Sequence, residues 1–317
     1  MFDELKDWAG QHINGVQLNC DIVNGCCLAC PSCAIGSIGT KRRGIMSIDM
    51  FKRIMDKAQS ETKVRRVQLY MYSDPCLHKD LHLFVQDLTD RGIESWISTM
   101  LQVTNCNFEK VIEARPSEFR ISFPGWEQMA YFQKGAKPER FSEKILDVCA
   151  LPRHPETIWT LVWHHYKTNG HEQERAEELA RWHNLKFVSL PAIFMPLEKY
   201  VDGYYTAQDR DLIDNHLFES PEQAAKNMKR TSTCGLWKQL AIDANGDVYL
   251  CQLVYEERFK LVNFLEVPYK SIQRMIKTHD FCGKCLAKGG NQLQSCYSPI
   301  ATSENPILEA NKKRRLR

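Results

Sequence analysis

The chain has 317 residues, 43% hydrophobic and 26% charged, a composition that excludes a disordered or collagen-like polymer and suits one large globular unit or one with an appendage. No run approaches the roughly 18 apolar residues of a membrane span, and Met1-Phe2-Asp3-Glu4 lacks the basic start and greasy stretch of an export signal, so a cytoplasmic protein without a membrane partner is expected. The formal charge of +3 comes from Lys312, Lys313, Arg314, Arg315 and Arg317; without that tail the body is slightly acidic, so any nucleic-acid contact is expected through the tail alone.

From the amino end, short β-rich runs alternate with amphipathic stretches. Strands are expected at 16–20, 64–72, 94–99, 118–123, 157–164 and 186–190. Between them helices are expected at 48–59 with Ser47 as N-cap, 81–91 with Asp80 as N-cap and Gly92 as stop, 108–114, 141–148 and 171–183. A βα repeat with right-handed crossovers is an α/β fold that curls toward a full or partial barrel, and it places reactive groups on loops at the C-terminal edge of the strands. Residues 196–230 lose this periodicity and read as a bridge. A hairpin follows at 240–243 and 248–251, turning at Asn245-Gly246 because that pair tolerates positive φ. The expected organisation is a barrel over 1–195, the bridge, a small hairpin-plus-helix domain over 231–300 and a basic tail over 301–317.

Thirteen cysteines are the outlying feature, and ten of them fall into two groups of five. In a reducing compartment disulfides explain such grouping poorly, whereas metal or cluster ligation explains it well. The first group, Cys26-Cys27-Leu28-Ala29-Cys30-Pro31-Ser32-Cys33, contains a C-x3-C-x2-C spacing just after the first strand. Three thiolates on a four-iron, four-sulfur (4Fe-4S) cluster leave one iron open, whereas structural zinc takes four protein ligands. A zinc site with Cys20 or Cys27 as fourth ligand is the rival reading of this group.

The triplet and its position resemble the radical S-adenosylmethionine (SAM) superfamily, whose core is a partial (β/α)6 barrel of TIM type. The resemblance implies a SAM-binding 4Fe-4S cluster on Cys26, Cys30 and Cys33, with SAM chelated to the open iron through its amino and carboxylate groups. One electron then cleaves the sulfonium to methionine and a 5′-deoxyadenosyl radical, which abstracts a substrate hydrogen atom. Ser32 stands where the family usually has an aromatic residue near the adenine. Tyr72-Ser73-Asp74-Pro75 is similar to the family's Gly-Gly-Glu-Pro segment, which implies that Ser73 and Asp74 lie at the SAM amino group. Ser122, in Ile121-Ser122-Phe123-Pro124-Gly125, resembles a Ser-x-Asp-Gly segment that approaches SAM. Lys134-Gly135 lies where an Arg-Gly often meets the SAM carboxylate.

The second group, Cys234, Cys251, Cys282 and Cys285, with Gly246 five residues before Cys251, resembles the twitch domain, the shorter relative of the SPASM domain. It implies a second, auxiliary 4Fe-4S cluster with four cysteine ligands and Cys296 as a spare or alternative ligand; a zinc ribbon is the alternative for these four residues. Tyr72, His164 and His165 end strands at the expected barrel mouth and are the candidate substrate contacts.

The expected activity is therefore hydrogen abstraction from a substrate carbon, leading to oxidation, epimerisation, rearrangement or bond formation, with an oxidoreductase or isomerase as the outcome. A flavodoxin or ferredoxin is the expected external electron donor. The substrate is a small molecule, a nucleotide, a modified DNA or RNA base or a peptide; the short stretch before the first strand leaves no room for an N-terminal peptide-binding module. A zinc-stabilised nucleic-acid-binding protein is the alternative from a different class.

Overall fold

The computed structural model describes residues 15–39, 42–228 and 231–297, the last four as backbone only. Nine strands form one sheet: β1 (Val16–Cys20), β2 (Val64–Gln68), β3 (Glu94–Thr99), β4 (Glu118–Phe123), β5 (Ile158–His165), β6 (Lys186–Pro191), β7 (Gln239–Ile242), β8 (Asp247–Tyr249) and β9 (Lys260–Asn263). Their order is β6-β5-β4-β3-β2-β1-β7-β8-β9. Strands β1 to β6 are parallel neighbours in sequence order, the expected partial (β/α)6 barrel of an α/β protein. The helices are α1 (Ala34–Ile38), α2 (Ile48–Glu61), α3 (Leu81–Asp90), α4 (Phe108–Glu113), α5 (Met129–Phe132), α6 (Pro138–Cys149), α7 (Gln173–Trp182), α8 (Leu197–Asp202), α9 (Ala207–Asp211), α10 (Pro221–Asn227), α11 (Tyr269–Thr278) and α12 (Asp280–Lys288). Among the described residues no helix is long and apolar enough to cross a membrane. The basic tail 301–317 and the Cys296 side chain lie outside the described residues.

The strands are buried on both faces, as parallel strands covered by crossover helices must be. One face of each strand supplies the apolar layer under the helices: Leu18, Val67, Ile97, Phe119, Ile121 and Leu161 are fully buried there. The other face turns into the barrel and is polar. Gln17 Nε2 donates to Asn19 Oδ1 at 2.7 Å and Asn19 Nδ2 to Gln239 Oε1 at 3.0 Å, while Glu118 pairs with Arg120 and accepts from Thr160 Oγ1 at 2.9 Å. The barrel floor is thus closed by amides and one buried ion pair, whose partners satisfy one another.

Most boundaries differ from the sequence expectation by one or two residues, and two differ by more. β2 stops at Gln68: Leu69 N still bonds Trp96 O, and from Met71 the backbone amides turn to a side chain on another loop, as described below. The helix before β5 begins at Pro138, whose fixed φ suits the first helical turn. Ser47 caps α2 as expected, accepting from Met50 N at 3.1 Å. The hairpin turns at Gly246, with φ of +80°, and β7 pairs in parallel with β1, so the hairpin continues the barrel sheet.

That junction is fastened by side chains. Asn24 Nδ2 donates to Asp243 Oδ2 at 3.0 Å and Asn24 Oδ1 accepts from Ala244 N at 2.9 Å, both buried. Replacing Asn24 with alanine leaves Asp243 and Ala244 N with unmet buried hydrogen bonds, so Asn24→Ala should lower unfolding stability by about 1–3 kcal/mol. A urea midpoint unchanged from wild type would show that the junction does not depend on this residue.

Candidate active site

A cavity of about 1000 Å³ opens at the C-terminal edge of the barrel strands, the place where parallel α/β sheets bind ligands. Cys26, Cys30 and Cys33 line it together with Tyr72, Ser73, Ser122, His164 and Cys234. The three cysteines lie on the loop between β1 and α1, which folds back on itself: Cys33 N donates to Cys30 O at 3.0 Å, and Ala29 N to Lys134 O at 2.9 Å. Gly36 lets α1 press against this loop, since a Cβ there would collide with the carbonyl oxygens of Ala29 and Cys30.

Burial raises the pKa of all three thiols. For Cys26 a hydrogen bond with Cys27 is the largest cause, ahead of burial; Cys33 is pushed up to about 11 by burial. Such sulfurs stay protonated and neutral until a cationic metal group draws off their protons. Cys26 Sγ accepts from Leu28 N at 3.4 Å, and in the second group Cys251 Sγ accepts from Leu253 N at the same distance, the N–H to sulfur arrangement that stabilises ligating thiolate. Cys27 is exposed and Cys20 is buried in the core; neither lines the cavity.

The loop after β2 is held by Asp21, a residue not singled out in the sequence. Its carboxylate, 3% exposed, accepts from Met71 N at 2.7 Å, Tyr72 N at 3.2 Å, Ser73 N at 3.1 Å and Ser73 Oγ at 2.6 Å. These bonds hold the backbone of 71–73, beyond the end of β2, beside the cysteine loop. Asp74 is fully buried and its oxygens are taken by the protein: Oδ1 accepts from Cys76 N at 3.0 Å, and Oδ2 from Thr99 Oγ1 at 2.9 Å and Met100 N at 3.2 Å. It does not line the cavity. Tyr72 does; its ring packs edge-on against Tyr255 at 5.1 Å and its buried hydroxyl has no hydrogen-bond partner among the described residues.

Ser122 Oγ lies 3.0 Å from Ser98 Oγ on the cavity wall. The Lys134 side chain is exposed and outside the cavity. The histidine pair divides: His164 lines the cavity, whereas His165 packs edge-on against Phe218 at 4.8 Å.

Cys234 caps the turn before β7, Cys251 follows β8, and Cys282 and Cys285 are one turn apart on α12. Burial and the neighbouring cysteines raise all four thiols except Cys234, for which burial alone does so; Cys282 rises to about 11 and Cys285 to about 12. Charge on neighbouring cysteines is thus a cause of the rise at Cys251, Cys282 and Cys285. Among the described residues no three His, Cys, Asp or Glu side chains are gathered as a single metal ion requires.

Behind Cys33 the bridge segment is anchored by a buried ion pair. Lys199 Nζ donates to Asp209 Oδ2 at 2.6 Å and to Ser37 O at 2.9 Å, and Ser37 Oγ donates to Asp209 Oδ1 at 2.6 Å. Glu198, also buried, accepts from Tyr255 N at 2.7 Å, which ties α8 to the loop after Cys251.

The fold is shared with solved structures. Native anSMEcpe with bound AdoMet aligns over 84% of this chain and 82% of its own, with TM-score 0.51 and 15% identity. Streptococcus suis SuiB bound to precursor peptide SuiA aligns over 84% of this chain and 66% of its own, with TM-score 0.56 and 13% identity, and SuiB bound to S-adenosylmethionine over 81% and 67%, with TM-score 0.55 and 12% identity. At these identities the likeness is one of fold, and it matches the barrel class expected from the sequence. No family model and no curated relative matches the chain.

Burial lowers the His164 imidazole to about 4, against an ordinary 6.5. The unfolded chain takes up this proton near pH 6.5 and the folded chain only near pH 4, so stability is lost as pH falls between those values. The thermal midpoint of wild type should drop across this range, and His164→Gln should drop less steeply. Parallel pH profiles for the two proteins would contradict the assignment.

Proposed function

We propose that this chain is a radical SAM enzyme with Cys26, Cys30 and Cys33 as ligands of a 4Fe-4S cluster. Bound together, that cluster and SAM would supply a 5′-deoxyadenosyl radical able to take a hydrogen atom from a substrate carbon. The observation that carries the reading is the opening of these three thiols, with no fourth cysteine of their loop, onto one large cavity at the strand ends. Three ligands leave one iron for a small-molecule chelator, which a closed four-ligand site would not.

The chain's own residues supply position and seclusion. Asp21 holds the 71–73 backbone, and Tyr72 and Ser73 of that segment line the cavity together with the three cysteines, which supports a role for them beside a bound ligand. Asp74 acts on the SAM site through the backbone it ties rather than by direct contact, since its carboxylate is spent on Thr99, Met100 and Cys76. Ser122 and His164 face the same space, and His164 offers a neutral ring nitrogen that accepts a hydrogen bond or a proton. The fold's occurrence in proteins solved with AdoMet supports this reading.

Cys234, Cys251, Cys282 and Cys285 are proposed as ligands of a second, twitch-like auxiliary cluster, fully ligated by protein and so suited to moving electrons. Because Cys234 also lines the cavity, that cluster would sit within electron reach of the substrate. This favours a net oxidation over a redox-neutral rearrangement, with flavodoxin or ferredoxin as electron donor.

The test is anaerobic incubation of purified protein with SAM and dithionite. Wild type should form 5′-deoxyadenosine, Cys30→Ala should fall to background, and Cys282→Ala should retain measurable uncoupled cleavage. No product from wild type, or equal survival in both variants, would contradict the proposal.

A further inference from the structure

The described residues lining the cavity include three cations, Arg120, Lys238 and Lys277, and no aspartate or glutamate. Arg120 is neutralised at the floor, where its Nη2 donates to Glu118 Oε2 at 3.0 Å. The uncompensated charge is therefore at the other end. Lys238 ends the turn Gly235–Lys238 that carries Cys234 into β7, and Lys277 lies in the last turn of α11, which packs on that turn. Neither ammonium has an ion-pair partner among the described residues.

A third donor joins them. Gln273 stands one turn before Lys277 on the same face of α11 and also lines the cavity; its Nε2 is buried and has no hydrogen-bond partner among the described residues. An amide N–H2 buried without an acceptor costs free energy that a bound acceptor would recover. Lys238, Lys277 and Gln273, on two elements that pack together, thus line a cavity with no carboxylate among its described lining residues.

We propose that this wall is an anion subsite, and that the substrate carries a phosphate monoester seated on Lys238, Lys277 and Gln273 Nε2. The charge decides between oxyanions. A phosphate monoester carries about −1.5 to −2 at neutral pH and balances two lysines, whereas one carboxylate balances only one. Lysine binds phosphate as a mobile point charge and needs no planar fork. The absence of acidic lining removes the repulsion such a group would otherwise meet. The subsite stands on the cavity lining alone; calling its occupant a substrate rests on the radical SAM reading.

Isothermal titration of the anaerobically purified protein with inorganic phosphate, and separately with acetate at matched ionic strength, tests this. Saturable phosphate binding in the millimolar range or tighter is expected, weakening as salt rises, with acetate at least several-fold weaker. The double variant Lys238→Gln, Lys277→Gln should weaken phosphate binding about tenfold, and Lys238→Arg, Lys277→Arg should restore most of it. Both pairs are exposed, so circular dichroism melting should report folded protein in each case. No saturable phosphate binding, equal affinity in the glutamine variant, or acetate bound as tightly as phosphate would each overturn the phosphate subsite. Cleavage of SAM by wild type is read separately. Phosphate binding without cleavage refutes the enzymatic reading and keeps the subsite, and cleavage without phosphate binding does the reverse.

Discussion

The site depends on one buried carboxylate at the end of the first strand. Asp21 sits where β1 gives way to the cysteine loop and spends its lone pairs on four donors of the loop after β2. Without it, four polar groups would lose their shared acceptor, and only the apolar packing of Met71 and Tyr72 would hold 71–73 against the cysteine loop. Burial lifts its pKa, while the hydrogen bonds from Ser73 and Met71 oppose that lift. The balance keeps an acid in the core as a structural clasp. Its position one residue beyond the strand is what lets strand geometry control loop geometry.

The two cysteine groups are far apart in sequence but belong to one mechanical unit. β7 pairs directly with β1, so the hairpin that leads to Cys251 is an extension of the sheet that leads to Cys26. Asn24 locks the hairpin turn to the loop that carries the first group, and Lys199 with Asp209 locks the bridge to α1 just behind Cys33. A frame of this kind fixes the separation between the two proposed cluster sites, which an electron conduit would require and a pair of flexibly tethered modules would not provide.

Much of the fold is legible in the sequence, because parallel strands are apolar runs bounded by polar residues. The ends of β1, β3 and β4 can be read from 16–20, 94–99 and 118–123 alone. The end of β2 cannot, because residues 71–73, which read as strand, turn their amides to Asp21 across a distance that local pattern does not see. The cysteine spacing also points to the cavity wall, where Cys26, Cys30 and Cys33 lie with Tyr72, Ser73, Ser122 and His164. Lys134 and Asp74 are different: one is an exposed side chain whose carbonyl does the local work, the other a buried cap. Position in a motif fixes where the backbone goes, but not whether a side chain turns to the ligand or into the protein. The Lys199–Asp209 pair and the donors of α11 are equally hidden, since their meaning comes only from what the fold places beside them.

The central claim is that three sulfurs hold a cluster with one iron left open. Electron paramagnetic resonance of the reduced protein, recorded before and after adding SAM, tests it most directly. The account predicts a signal that changes shape on adding SAM in wild type and in Cys282→Ala, and that loses this response in Cys30→Ala. A spectrum indifferent to SAM in wild type would mean that no iron is open, and would contradict the account.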